Sequence, residues 1–278
     1  SFTTAGTDGF FVRLSASGDA FGPVGNASIS GATWQTVDAI TVVKDTAGNQ
    51  HFIVAGTSIG NVSINGGTVQ SLPAGTTSSW IAHFDSLLSN APEVFSLPAG
   101  GGATDRVLVK DLAPGAMQGE VIAVGSFTGT FRGVIATLTD GFVIRLSTTM
   151  TETPSSDILI TGTGADEVVG AAPVAGGFAL AISSGSDPLN FTRSSTGING
   201  LDPGDAVLVT FNGGTGSRGT DTPLKSDGAT LPIGLGVGAG DGNLRAAASF
   251  VGTLGWGFDV LTATPSGNRD IGLVIAQP

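Results

Sequence analysis

Residues 140–147 read Asp-Gly-Phe-Val-Ile-Arg-Leu-Ser, and residues 8–15 read Asp-Gly-Phe-Phe-Val-Arg-Leu-Ser. Looser copies begin at Ser78 (SSWIAHFDS), Asp205 (DAVLVTF) and Asp270 (DIGLVIA), so the run returns every 62 to 70 residues. Recurrence at such a spacing marks a repeat architecture. Each copy is short, rich in β-branched and aromatic residues, and bounded by Gly, Asp and Ser, which predicts a strand. Its apolar residues are consecutive instead of alternating, so both faces of the strand are expected to be buried. We name this run motif C.

Three further motifs surround it. Motif A reads DAITVV from Asp38, DRVLV from Asp105, DEVVGAA from Asp166 and LPIGLGV from Leu231. Motif B reads HFIVAGTSIG from His51, EVIAVGSFTG from Glu120, GFALAISSG from Gly177 and NLRAAASFVG from Asn243. Motif D is weaker: AFGPVG near Ala20, PEVFSL near Pro92, DILITG near Asp157 and DTPLKS near Asp221. The turn Asp45-Thr-Ala-Gly-Asn49 supplies the Gly and Asn that a tight hairpin between A and B needs. No segment carries a sustained helical period with caps, so almost no helix is expected. The prediction is an all-β, β-propeller-like chain of four, or five, four-stranded blades built from a ~65-residue repeat. A solenoid ranks second and a pair of β-sandwiches third. The whole of 1–278 reads as one domain, with an extra N-terminal strand in 1–17 and units at about 18–85, 86–147, 148–212 and 213–278. The left-over first motif C is expected to close the ring on the last blade, to begin a fifth blade, or to add to a sheet edge of a neighbouring molecule.

The segments Asp8–Leu14, Asp38–Gly60 and Asp140–Leu146 together resemble the bacterial SBBP-type β-propeller repeat. The resemblance touches nearly the whole chain. It implies a propeller fold and an exported bacterial protein, and it carries over no catalytic residue.

Composition narrows the partners. Charged residues make up 12% of the chain and the net charge is −11, against about 25% charged in ordinary domains. With only 11 Lys and Arg, the chain has little to neutralise phosphates, so nucleic acid is not expected. There is no Cys, which removes disulfides and thiolate chemistry together. The uncharged window Val168–Ser186 contains Pro173, four Gly and three Ser; it aligns with strands elsewhere and is not read as a membrane span. No signal peptide begins at Ser1, so an export signal is expected to have been removed or never to have existed.

Candidate chemistry is sparse. Asp8, Asp140, Asp205 and Asp270 before motif C, and Asp38, Asp105 and Asp166 before motif A, are expected to accept backbone N–H groups at turns; a catalytic group is needed once, not in every unit. Asp45–Asn49, Gly164–Glu167 and Asp241–Asn243 put oxygen atoms in Gly-rich turns, but calcium takes six to eight oxygens, and none of the three is that dense. His51 and His83 are the only histidines, too few for a zinc site of three or four N or S ligands. Nothing singles out a catalytic carboxylate pair among the acids, which include Glu93, Glu120, Glu152 and Glu167. The glycine run Gly234–Gly240 lies within motif A and does not open a helix, so it is not a dinucleotide loop. Trp80 occupies the core position of Phe10, Phe142 and Val207 in motif C. Trp34 and Trp256 fall outside the apolar repeat and could stack on a sugar ring. The three N-x-Ser/Thr sequons, at Asn26, Asn61 and Asn190, are near the chance number. We therefore expect no catalytic, cofactor-binding or metal-binding residue, no cofactor beyond a marginal case for calcium, and no enzyme activity. The expected function is that of a secreted, non-enzymatic structural or adhesive protein at a bacterial cell surface, a subunit of a surface assembly or filament whose partners are its own copies or another surface protein or glycan; a monomeric glycan- or protein-binding propeller is the alternative, and a degraded hydrolase is third.

Overall fold

The computed structural model describes residues 8–12, 26–31, 33–85, 88, 92–153, 156–226, 231–237, 243–256, 259–262 and 269–276. Among them there is no helix, and no sheet closes on itself. The all-β expectation holds. No helix is long and apolar enough to cross a membrane.

Five layers follow one another along the chain. Layer 1 begins with β1 (Gly9–Val12) paired with β2 (Asn26–Gly31). Layer 2 is an antiparallel meander of β3 (Ala39–Lys44), β4 (Gln50–Ile59), β7 (Thr77–Phe84) and β8 (Glu93–Leu97). Between its second and third strands runs the hairpin β5 (Val62–Ile64) and β6 (Thr68–Gln70), which joins layer 1. Layer 3 holds β9 (Arg106–Pro114), β10 (Glu120–Thr128), β13 (Asp140–Ser147) and β14 (Ile158–Thr161), with the small hairpin β11 (Thr130–Phe131) and β12 (Val134–Ile135) between β10 and β13. Layer 4 holds β15 (Glu167–Val174), β16 (Gly177–Ser184), β18 (Asp205–Asn212) and β19 (Arg218–Ser226), with β17 (Asn190–Phe191) between β16 and β18. Layer 5 holds β20 (Leu231–Val237), β21 (Leu244–Val251) and β24 (Arg269–Ala276), with β22 (Thr253–Trp256) and β23 (Asp259–Thr262) between the last two. A single parallel contact, Thr77 opposite Arg106, ties layer 2 to layer 3.

Motifs A, B and C thus form the strands the sequence predicts. Motif D pairs with the motif C that precedes it, in β7–β8, β13–β14 and β18–β19. The sheets therefore group the strands as A–B–C–D, where the sequence units were divided as D–A–B–C. The left-over β1 begins a layer of its own. The first motif D, at 20–25, lies outside the described residues.

The layers stack face to face, and this is why motif C is apolar at consecutive positions. In β13, Phe142, Ile144 and Leu146 pack with layer 2, while Val143 packs with layer 4. In β18, Val207, Val209 and Phe211 turn to layer 3, and Ala206 and Leu208 to layer 5. Trp80, Ala82 and Phe84 of β7 turn to layer 1, and Ile81 to layer 3. The leading strands also pack in succession, β3 on β9, β9 on β15 and β15 on β20.

One expectation of burial fails. Trp80, Phe142 and Val207 are fully buried, but Phe10 is 62% exposed. Phe10 pairs with Ser28, on the opposite side of layer 1 from Ala27 and Ile29, which face layer 2. No described layer precedes layer 1, so the position that is core in later units faces outward here. The far end of the stack behaves the same way: Ile271, Leu273 and Ile275 of β24 are 72%, 59% and 51% exposed.

The excursions between motifs B and C latch the layers. β5 pairs with β2, β17 with β14, and β22 with β19, each adding a strand to the last strand of the preceding layer. The excursion of layer 3 does not. Among the described strands β11 and β12 pair only with each other, and β8 pairs only with β7.

Candidate functional site: a tryptophan cleft and two charged clusters

The aspartates that recur before motif A are hydrogen-bond acceptors. Asp38 accepts Thr57 Oγ1 at 2.5 Å. Asp166, fully buried, accepts Ser186 Oγ at 2.6 Å, Gly185 N at 3.0 Å and Ser184 Oγ at 3.1 Å. In both, the donors come from the end of the neighbouring motif B strand, a partnership that sequence spacing alone does not reveal. Asp105 and Asp205 accept from their own turns, from the N–H of Gly102 at 3.1 Å and of Asp202 at 2.9 Å. Asp140 differs. It is buried, its Oδ1 receives no donor, and burial first, then the Asp166 charge, push its carboxyl up to about 6.

The turn at Asp45 is saturated without a metal. Oδ1 accepts the N–H groups of Ala47 and Asn49, and Oδ2 accepts Asn49 Nδ2 and faces His51 Nε2 at 3.2 Å. These bonds, led by the Asn49 side chain and His51, hold its carboxyl down at about 2. Of the other two turns, Gly164–Glu167 has its Asp166 oxygens engaged as above, and Asp241 lies outside the described residues. Among the described residues no cluster of three or more His, Asp or Glu is placed to hold a metal ion.

The two histidines, apart by 32 residues in sequence, meet. His51 Nδ1 lies 2.8 Å from His83 Nε2, and His83 Nδ1 lies 3.5 Å from Glu93 Oε2. The row Asp45–His51–His83–Glu93 allows a simple proton count. His51 donates Nε2–H to Asp45, so its Nδ1 accepts from His83 Nε2–H, and the remaining His83 nitrogen bears a lone pair toward Glu93 unless the ring is protonated. Burial, then the His51 charge, lower the His83 pKa, with the Glu93 charge opposing. Layer 3 fills the same two motif positions with Glu120 and Arg145, a buried ion pair with Arg145 Nε donating to Glu120 Oε1 at 2.6 Å. Arg145 Nη2 also donates to the carbonyl of Gly213 in layer 4.

The second charged cluster joins Glu152 and Asp157. Arg132 occupies the first central position of the two-residue β11–β12 turn, with φ of 52° before Gly133 at 79°, the geometry of a hairpin turn. From there its Nη2 bonds Glu152 Oε2 at 2.8 Å and its Nε stands 3.7 Å from Asp157 Oδ2. Arg193 Nε donates to the Asp157 carbonyl at 3.3 Å. Burial, then the adjoining Glu152 carboxyl, push Asp157 up to about 7. Nothing in the residue pattern marks this pair, because the two acids are brought together by the return of the chain into β14.

Clefts adjoin these groups. One of about 440 Å³ is lined by Trp34, Val37, Asp38, Thr57, Leu108, Val109 and Lys110. Trp34 is 39% exposed there, an aromatic face beside a carboxylate, a hydroxyl and an ammonium. One of about 380 Å³ is lined by Phe95, Ser96, Leu97, Pro98, Phe131, Arg132 and Glu152, and one of about 340 Å³ by Asp157, Thr192, Arg193, Thr215 and Ser217. Trp80 is core, as the repeat predicts; the side chain of Trp256 lies outside the described residues. No protein-family model matches the chain, and no curated protein sequence matches it.

Proposed function

We propose that the chain is a non-enzymatic structural or adhesive protein of the β-propeller type, exported to a bacterial cell surface and acting by self-association. The propeller reading is supported by successive antiparallel meanders whose leading strands pack one on the next, as blades set their inner strands around an axis, and it accords with the resemblance of the repeated segments to the SBBP-type repeat. The observation that carries the function is the apolar stripe Ile271, Leu273 and Ile275 on the last layer. The same side of β13 and β18 is covered by a following layer, and an exposed apolar surface in that position is the mark of an association site. The experiment is analytical ultracentrifugation and electron microscopy of the purified chain over a range of concentrations. Assembly supports the reading, and a monomer at every concentration overturns it.

A second reading, a monomeric glycan-binding propeller, is favoured by the Trp34 cleft, where an aromatic ring and three polar groups converge. Binding to a glycan array that Trp34→Ala abolishes would establish it in place of the first.

A further inference from the structure

We infer that His51 and His83 form a two-imidazole chelate for one copper(II) ion, its remaining positions taken by solvent oxygen. The row Asp45–His51–His83–Glu93 has three contacts. Each joins two acceptors, so each needs a proton or a cation between them. Two neutral imidazoles bring two protons. With His51 Nε2–H directed to Asp45 and His83 Nδ1–H to Glu93, the nitrogens left are His51 Nδ1 and His83 Nε2, which face each other at 2.8 Å, lone pair to lone pair. The middle contact is short of one positive charge. A third proton would charge a ring that is only 12% exposed, against its desolvation. A divalent ion closes the contact with both rings neutral, and the carboxylates of Asp45 and Glu93 on either side balance its charge. A carboxylate on the outer nitrogen is also the usual support of a metal-bound imidazole.

The spacing selects the metal. Two imidazole nitrogens about 2.0–2.1 Å from one ion lie about 2.9 Å apart at a right angle and about 3.3 Å apart at the tetrahedral angle. The separation of 2.8 Å fits the right angle. That is the geometry of copper(II) and nickel(II), of which copper(II) binds the tighter. The ring planes are tilted by 52° with centroids 4.8 Å apart, so the rings meet by their edges and do not stack. Both ligands stand on paired strands: His51 lies across from Val43, and His83 across from Ile53. Such a footing holds a site more closely than a loop does. Two protein ligands make the site, fewer than the clusters of three that are absent among the described residues. Layer 3 shows the alternative, since its Glu120 and Arg145 carry opposite charges in the same two positions and need nothing between them.

The test is titration of the full chain with copper(II) in the presence of glycine as a competing chelator, followed by calorimetry and electron paramagnetic resonance. The expected result is one ion per chain, with a tetragonal spectrum split by two imidazole nitrogens. Asp45→Asn should weaken binding about 10–100-fold, as loss of a carboxylate behind a metal-bound imidazole does. His51→Glu combined with His83→Arg installs the layer 3 pair; it should keep the β-sheet circular dichroism of the parent and lose the ion. The parent spectrum and Asp45→Asn decide the matter even where that double variant does not fold. A parent chain that takes up no copper, or a spectrum without imidazole nitrogen, would overturn the proposal and leave the two rings a simple hydrogen-bonded pair. So would a folded double variant that binds copper as the parent does, which would place the ion elsewhere on the chain.

Discussion

Trp80 stands directly across from Gly56 in the β4–β7 pair, and a β-carbon on Gly56 would collide with the indole ring. The same two motif positions hold Gly125 and Phe142 in layer 3, Ile182 and Val207 in layer 4, and Ala248 and Gly272 in layer 5. A large ring is matched by glycine, and a middling side chain by another. A β-carbon on Gly125 would also collide with the Leu108 carbonyl and lie 3.0 Å from Phe142 Cζ. Gly125→Ala should therefore cost about 1–3 kcal/mol by overpacking, and Phe142→Ala about 3–5 kcal/mol by cavity formation. Combined, they should cost less than the sum, with a coupling of about 0.5–3 kcal/mol. Denaturant titration of the four proteins measures it, and strict additivity would contradict the pairing.

The ion pair of Glu120 and Arg145 is buried, with each side chain 4% exposed. Removing one partner strands a charge. Arg145→Ala should destabilise by about 3–5 kcal/mol, while Glu120→Leu with Arg145→Met should come close to the parent. Thermal unfolding of the single and double variants separates the two outcomes.

Stability should rise as the pH falls from about 8 to about 5.5. Asp140 and Asp157 titrate at about 6 and about 7, and Asp111 and Asp166 are also raised, in each case chiefly by burial. Groups raised from 3.8 leave the folded chain holding more protons than the unfolded one, so their contribution is present at low pH and lost as pH rises through 6 to 7. His83, lowered from 6.5, opposes this as the pH drops below that value. Melting temperatures across the range give the slope, and Asp140→Asn should flatten it and raise the melting temperature at the alkaline end.

The His83 ring gives a local readout. Glu93 raises its pKa against burial and His51, so Glu93→Gln should lower it further. Imidazole NMR titration follows the shift; an unchanged or higher value would break the proposed row of groups.

What the sequence made legible was whatever depends on local pattern. Consecutive apolar residues from Phe142 to Ile144 announced two buried faces, and Trp80 was placed in the core by alignment alone. Motif position could not say that Phe10 belongs to the first described layer, where it is largely exposed. Nor could it pair His51 with His83 or Glu152 with Asp157, because those contacts depend on register and on how excursions fold back. The latches were invisible for the same reason: Asn190–Phe191 and Thr253–Trp256 are too short and irregular to read as strands until the edges they cover are known.

The latches also bear on how such a chain can grow or shrink by duplication. Because β17 and β22 belong in sequence to one layer and in pairing to the one before, a copied segment cut between layers would carry a latch for its neighbour and depend on the next copy for its own. A gene segment that adds a layer must therefore be inserted in phase with this overlap, and each successful insertion leaves its boundary interwoven instead of hinged.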